Sequence, residues 1–168
     1  MRVSYNWLRD YVPIQLSPAE LAEKLTMAGL EVDEIIDFGA PYRSLKIGEI
    51  LKIEHHPQAD RLLICRVRLA DGEVTVVTAA QNLKSGDLVP VALPGVTLPD
   101  GRQIEAVEFH GVRSQGMLCS EEELGLARKS TGIMVLPAGT SLQASLDSVL
   151  GLDDHVLVLE LTPNRADC

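Results

Sequence analysis

Aromatic side chains are scarce in this 168-residue chain, which has one Trp, three Tyr and two Phe. So few ring faces leave little material for a base-stacking platform. Cysteine is scarce too. Cys65, Cys119 and Cys168 are odd in number and far apart in sequence, which argues against a disulfide framework and against a zinc site, and suits a reducing cytoplasm. Positive charge is short: the formal net charge is -9, with every part of the chain on the acidic side. A free-standing nucleic-acid binder normally shows a basic face, so any such affinity must come from a local patch or be weak. No apolar run approaches the length of a membrane span, and the opening Met1 to Asp10 lacks the apolar core of a signal peptide. What remains is a hydrophobic content of 46% with 23% charged residues, ordinary for a globular protein.

The start of the chain reads as helical. Ser4 caps a short turn carrying Trp7, Leu8 and Tyr11. Ser17, with Pro18 at the first helical position and Glu20 at the third, forms a capping box, and the helix it opens sets Leu21, Leu25 and Ala28 on one stripe before Gly29 stops it. Leu30 to Phe38 is a strand candidate, and Gly39-Ala40-Pro41 marks a boundary.

From Leu45 the period becomes that of strands. Leu45 to Ile53 alternates imperfectly around Gly48 to Ile50, which predicts a bulge. Cys65, Val67 and Leu69 alternate with Ile64, Arg66 and Arg68, a half-buried strand that Asp71-Gly72 turns back into Val74 to Thr78. Leu88 to Leu93 and Ile104 to Val112 complete five strands, and Ser120 with Glu123 predicts a second capping box opening a helix of little more than one turn, ended at Gly125. Gly111 and Gly116 bracket Arg113, Ser114 and Gln115 in what reads as a shaped binding loop. Five short strands with Gly and Pro turns, plus one capping helix, fit an oligonucleotide/oligosaccharide-binding (OB) fold better than a sandwich.

Gly132 to Leu136 adds a possible short strand and Ser141 to Leu150 has helical spacing. His155 to Leu161 is almost continuously apolar and is expected in a sheet covered on both faces, with residues 1–39 as its natural mate. The fold class is therefore mostly β with α+β: a five-stranded OB barrel over 40–151, inserted into a small split α+β domain made of 1–39 and 152–168. Thr162 to Cys168 ends without a terminator, so a longer polypeptide is expected.

Several spaced motifs carry a family resemblance. His56-Pro57-Gln58-Ala59-Asp60-Arg61-Leu62, Ala80-Gln81-Asn82, Leu98-Pro99-Asp100-Gly101 and Ser114 through Ser120 with Glu123-Leu124-Gly125 resemble the tRNA-binding OB domain of several aminoacyl-tRNA synthetases and their accessory proteins. The flanks, Val3 to Leu8, Ala28 to Val32 and Leu161 to Cys168, are similar to the N-terminal region of bacterial phenylalanine-tRNA ligase β subunits. The resemblance implies an α2β2 heterotetramer that attaches phenylalanine to tRNA with ATP and magnesium, the aminoacylation site lying in the α subunit. This stretch then has no catalytic residue of its own, holds no cofactor, and has tRNA and the α subunit as partners, with neither membrane nor DNA implied. The alternatives are a stand-alone tRNA-binding protein and a scaffold that serves only subunit contacts.

The expected tRNA contacts are Arg66 and Arg68 on one outward strand face, Lys84 and Arg113 at its border, and Ser114 and Gln115 in the loop. With Phe109 as the one aromatic of the barrel strands, phosphate or shape contacts are the expected mode. His55 and His56 read as a surface histidine beside a turn-forming His-Pro, since neighbours in a strand face opposite ways and cannot chelate one metal together. Asn82 reads as a turn residue, and Met117 and Cys119 as core beneath the loop.

Overall fold

A computed structural model describes residues 1–161. In chain order the elements are β1 (Arg2–Ser4), α1 (Tyr5–Tyr11), α2 (Pro18–Met27), β2 (Glu31–Asp37), β3 (Lys46–His56), β4 (Ala59–Leu69) and β5 (Gly72–Thr78). They continue as β6 (Leu88–Ala92), β7 (Val107–Phe109), β8 (Val112–Ser114), β9 (Met117–Leu118), α3 (Leu146–Val149) and β10 (His155–Glu160). Two compact units result, one of Met1–Ala40 with the described residues from Leu150 on, the other of Pro41–Val149.

In the first unit β10 lies between β1 and β2 in an antiparallel sheet, with Val3, Leu157 and Ile35 in one cross-strand row. Leu157 and Leu159 are buried and Val156 and Val158 only half-buried, so the apolar run is covered fully on one face and not on both as its composition suggested. The predicted caps form. Ser4 accepts from the Trp7 amide at 3.0 Å, and the Ser17–Glu20 box closes in both directions. The helix buries Ala22, with Leu21 and Leu25 half-buried, whereas Ala28 is exposed as the cap before Gly29, whose φ is +87°. The Asp153–Asp154 stretch holds the start of α1. Asp154 accepts from the Asn6 amide at 2.9 Å and from the Ser4 hydroxyl, and the Asn6 side chain donates to the Asp153 carbonyl at 3.0 Å.

The second unit is an antiparallel sheet of order β5-β4-β3-β6-β9 whose two edges are joined by one short segment. At the β5 edge the Gln115 amide donates to Thr75 at 2.8 Å, the Thr75 amide donates to the Gln115 side chain at 3.0 Å, and the Val77 amide donates to the Ser114 hydroxyl at 3.0 Å. At the other edge Met117 and Leu118 pair with Ala92 and Val91. Residues 114–118 therefore close the sheet into a five-stranded OB-type barrel. Gly116 is the pivot: a Cβ there would stand 2.6 Å from the Ala92 carbonyl oxygen. Inside are Ile50, Cys65, Val67, Val76, Val89 and Val91, all fully buried. Gly48 admits this packing, because a Cβ on it would meet Val67 at 2.4 Å and Val91 at 2.8 Å. The register of β3 shifts twice, between Ile50 and Lys52, beside the predicted Gly48 to Ile50, and between His55 and His56.

Four local expectations are corrected. Ile104 to Val112 is not one strand: β7 and β8 are a hairpin whose two-residue turn, His110 and Gly111, has φ of +45° and +83°, both in the left-handed region a tight hairpin requires. The Ser120–Glu123 box forms, but the Leu126 and Gly125 amides donate to Glu121 and Glu122 at 2.8 and 3.0 Å, so start and stop signals meet within a single turn and no helix is left between them. Ser141 to Leu150 is helical only over α3, because the Ser141 hydroxyl and carbonyl accept from the Gln143 and Ala144 amides in a turn of their own. Gly132 to Leu136 contributes an isolated bridge, Leu136 with Leu88, rather than a strand.

Candidate nucleic-acid interface

Alternation along β4 buries Cys65 and Val67 and sends Arg66 and Arg68 outward together. Register decides what stands beside them. Arg68 lies between Glu49 on β3 and Glu73 on β5 and forms an ion pair with Glu49, which raises the guanidinium pKa. Arg66 lies between Lys52 and Thr75, and Lys52 is paired with Glu54 at 2.8 Å. The row thus places three cations among three carboxylates. It is a striped face rather than a basic groove.

The loop residues have other duties. Ser114 is buried, and its hydroxyl both accepts from Val77 and donates to the Gly116 carbonyl at 2.8 Å. Gln115 is exposed, yet its amide oxygen extends the β5 edge by accepting from Thr75. Arg113 is exposed on β8 opposite Glu108 of β7. Lys84 is exposed in the β5–β6 connection, where its amide donates to the buried Asp87 carboxylate at 2.9 Å. The structure brings Ser114 and Gln115 to the β5 edge beside the Arg66 row. It sets Lys84 on a different loop.

Beneath the β7–β8 hairpin is a cleft of about 420 Å³ lined by Val77, Ile104, Val107, Phe109, Ser114 and Met117, with Arg102 at its margin. Arg102 is held by Asp100 at 2.6 Å. His55 is exposed and the chain turns at Pro57-Gln58, as the sequence suggested, with His56 facing inward. Its ring is buried, its Nδ1 accepts from the Gln58 amide at 3.1 Å, and its Nε2–H donates to the Phe109 carbonyl at 2.9 Å, tying the β3–β4 turn to the hairpin. Cys65 and Cys119 are buried thiols whose pKa values burial pushes up to about 11 and about 12. Neither ionises at neutral pH, so neither is a nucleophile or a ready metal ligand.

Asn82 is the polar residue whose role sequence reasoning undervalued. Its side chain accepts from the Ile133 amide at 3.1 Å and donates to the Ile133 carbonyl at 2.9 Å, as a strand neighbour would. Residues 130–133 are thereby strapped to the β5–β6 connection. The Gln81 side chain donates to the Arg61 carbonyl at 3.3 Å and brings the start of β4 to the same end of the barrel.

Residues 45–144 match the sequence profile of the family described as "Putative tRNA binding domain". This chain belongs to the tRNA-binding domain family. The flanks are covered as well. Over its whole length the tRNA-binding domain chain is 44% identical to the phenylalanine–tRNA ligase beta subunit of Syntrophus aciditrophicus and 51% identical to that of Moorella thermoacetica. It spans 21% and 22% of those two relatives. The resemblance read from the motifs is therefore met both in the barrel and in its surroundings, although the predicted motif at 162–168 lies outside the described residues. Among solved structures, a MetRS related protein from Pyrococcus horikoshii is similar at 22% identity with a TM-score of 0.44, over 61% of this chain and 87% of that one.

The tRNA-binding domain has further cations that the strand pattern did not single out. Arg61, Arg128 and Lys129 are exposed, and among the described residues none of them has a carboxylate within ion-pair distance; the same holds for Lys84. Arg61 has the parity of the core-facing Leu63 and Cys65 yet is exposed, which puts it beyond the packed interior. No helix of the described residues is long and apolar enough to cross a membrane.

Proposed function

We propose that this chain is the N-terminal, non-catalytic part of a bacterial phenylalanine–tRNA ligase β subunit, and that its barrel gives the enzyme an auxiliary, phosphate-directed contact with tRNA. The observation that carries the reading is the match along all 168 residues to beta subunits at 44% and 51% identity, with the barrel itself in a tRNA-binding family. The physical chemistry supports a weak contact. Exposed cations free of ion pairs stand among an excess of carboxylates, and binding of that kind depends steeply on salt.

In the proposed enzyme, a cytoplasmic α2β2 assembly attaches phenylalanine to tRNA with ATP and magnesium. In this proposal both groups act outside this chain. A subunit-contact scaffold is the second reading, favoured by the interleaving of Glu49, Glu54 and Glu73 with Arg66, Arg68 and Lys52.

Titration of labelled tRNA with the chain at 50 and 200 mM salt separates them. A complex that weakens severalfold or more over that range supports auxiliary binding. No complex at high micromolar protein and low salt leaves the scaffold.

A further inference from the structure

Three loops converge at the end of the barrel where β4 starts and β5 finishes. Gln81 reaches the Arg61 carbonyl, Asn82 grips Ile133 on both polar sides of its backbone, and Gly132 passes so close that a Cβ on it would meet the Asn82 amide oxygen at 2.2 Å. These bonds fix the start of β4, the β5–β6 connection and the 126–133 strap as one surface. On it stand Arg61, Lys84, Arg128 and Lys129, all exposed.

The local carboxylates are Asp60, Asp87, Glu121, Glu122 and Glu123, the last accepting from the Ser120 amide at 2.7 Å. Glu122 accepts from the Ser130 amide at 3.2 Å, while Asp87 is buried and accepts from the Lys84 amide. Three of the five are thus drawn onto backbone amides, whereas the four cations carry no ion pair among the described residues. In the outward row of β3, β4 and β5, by comparison, Arg68 and Lys52 are already neutralised by Glu49 and Glu54, which leaves Arg66 as its one cation without an ion pair among the described residues.

We propose that Arg61, Lys84, Arg128 and Lys129, on the three loops that Gln81 and Asn82 tie together, form the principal RNA-phosphate site of this chain. The inference rests on the tRNA-binding reading above and names its surface. No Phe, Tyr or Trp stands among residues 79–87 or 126–133, so the site holds the sugar-phosphate backbone and does not stack bases. Recognition there is by charge and loop spacing, with little dependence on base sequence. The arginine row of β4 contributes a subordinate part.

The test compares two variants of the whole chain against labelled tRNA across a salt series. One carries Arg61→Ala, Lys84→Ala, Arg128→Ala and Lys129→Ala; the other carries Arg66→Ala, Arg68→Ala and Arg113→Ala. Four phosphate contacts give a slope of log K against log salt of roughly -3, so the first variant is expected to lose most of that slope and roughly tenfold or more in affinity at 50 mM salt. A third variant, Arg61→Lys with Arg128→Lys, keeps the charge and is expected to keep the slope. All four side chains are exposed, and an unchanged melting temperature confirms that folding is intact. If the loop variant binds like the parent while the row variant loses the slope, the proposed site is wrong and the tRNA reading stands. If the parent chain forms no complex at all, both fall.

Discussion

The side chain of Asn82 and the backbone of Ile133 form a two-bond pair, at 2.9 and 3.1 Å, in which an amide group stands in for a neighbouring strand. Gly132 makes room for it. Asn82→Ala leaves an amide and a carbonyl of the strap to solvent and is expected to cost about 0.5–1.5 kcal/mol. Gly132→Ala pushes the same amide away and removes the same bonds. In a thermodynamic cycle read by urea unfolding, the double variant is expected to cost little more than Asn82→Ala alone, whereas two full additive losses would show that the contacts are independent.

Gly48 is a packing residue of the barrel. A methyl group there meets Val67 at 2.4 Å and Val91 at 2.8 Å, both fully buried. Gly48→Ala is expected to destabilise by about 1–3 kcal/mol through overpacking, with partial recovery in the Gly48→Ala, Val67→Ala pair, where the removed methyls open the space. Thermal melts of Gly48→Ala, Val67→Ala and the pair check this.

The buried thiols give a dependence on alkaline pH. Cys65 and Cys119 have folded-state pKa values raised to about 11 and about 12, whereas an unfolded cysteine ionises at about 8.5. A raised pKa contributes stability that is complete below the unfolded value and fades as pH climbs above it, because the unfolded chain then releases protons that the folded one keeps. Unfolding midpoints are expected to fall from about pH 8.5 upward, less steeply in Cys65→Ala. At pH 8, peptide-resolved thiol labelling should leave both cysteines unmodified until denaturant is added.

Asp147 gives the acid counterpart. Burial opposes its charge, but hydrogen bonds from the Ser145 hydroxyl, the Arg43 guanidinium and the Ser148 amide outweigh that and lower its pKa. A lowered carboxyl pKa contributes stability that is present above the unfolded value and lost as pH falls through the folded one. Asp147→Asn is therefore expected to destabilise at pH 7 and to flatten the loss of stability below about pH 4. An acid limb identical to that of the parent would show that Asp147 does not control it.

The parts of this architecture that are local in sequence were legible there. Period-two alternation placed Cys65, Val67 and Leu69 inside and Arg66 and Arg68 outside, and the Ser17 and Ser120 boxes announced their own hydrogen bonds. Long-range relations were not. The charge of the β4 row depends on Glu49 arriving opposite Arg68 nineteen positions away, which register alone sets. The hairpin at His110-Gly111 was hidden because histidine is not the usual residue for the first left-handed position of such a turn. Ser114 and Gln115 read as ligand-facing polar residues, and their hydrogen bonds to Val77 and Thr75 are visible only once the β5 edge stands beside them.

Both rims of the cylinder depend on the five residues from Ser114 to Leu118, the first two laced to β5 and the last two to β6. One seam cannot be unpicked without slackening the other. A nick in this span would cut the link between the stretch laced to β5 and the stretch laced to β6, whereas a nick at the Pro99–Gly101 turn would leave that link whole. Five consecutive residues thus decide whether the sheet is a cylinder or an open ribbon.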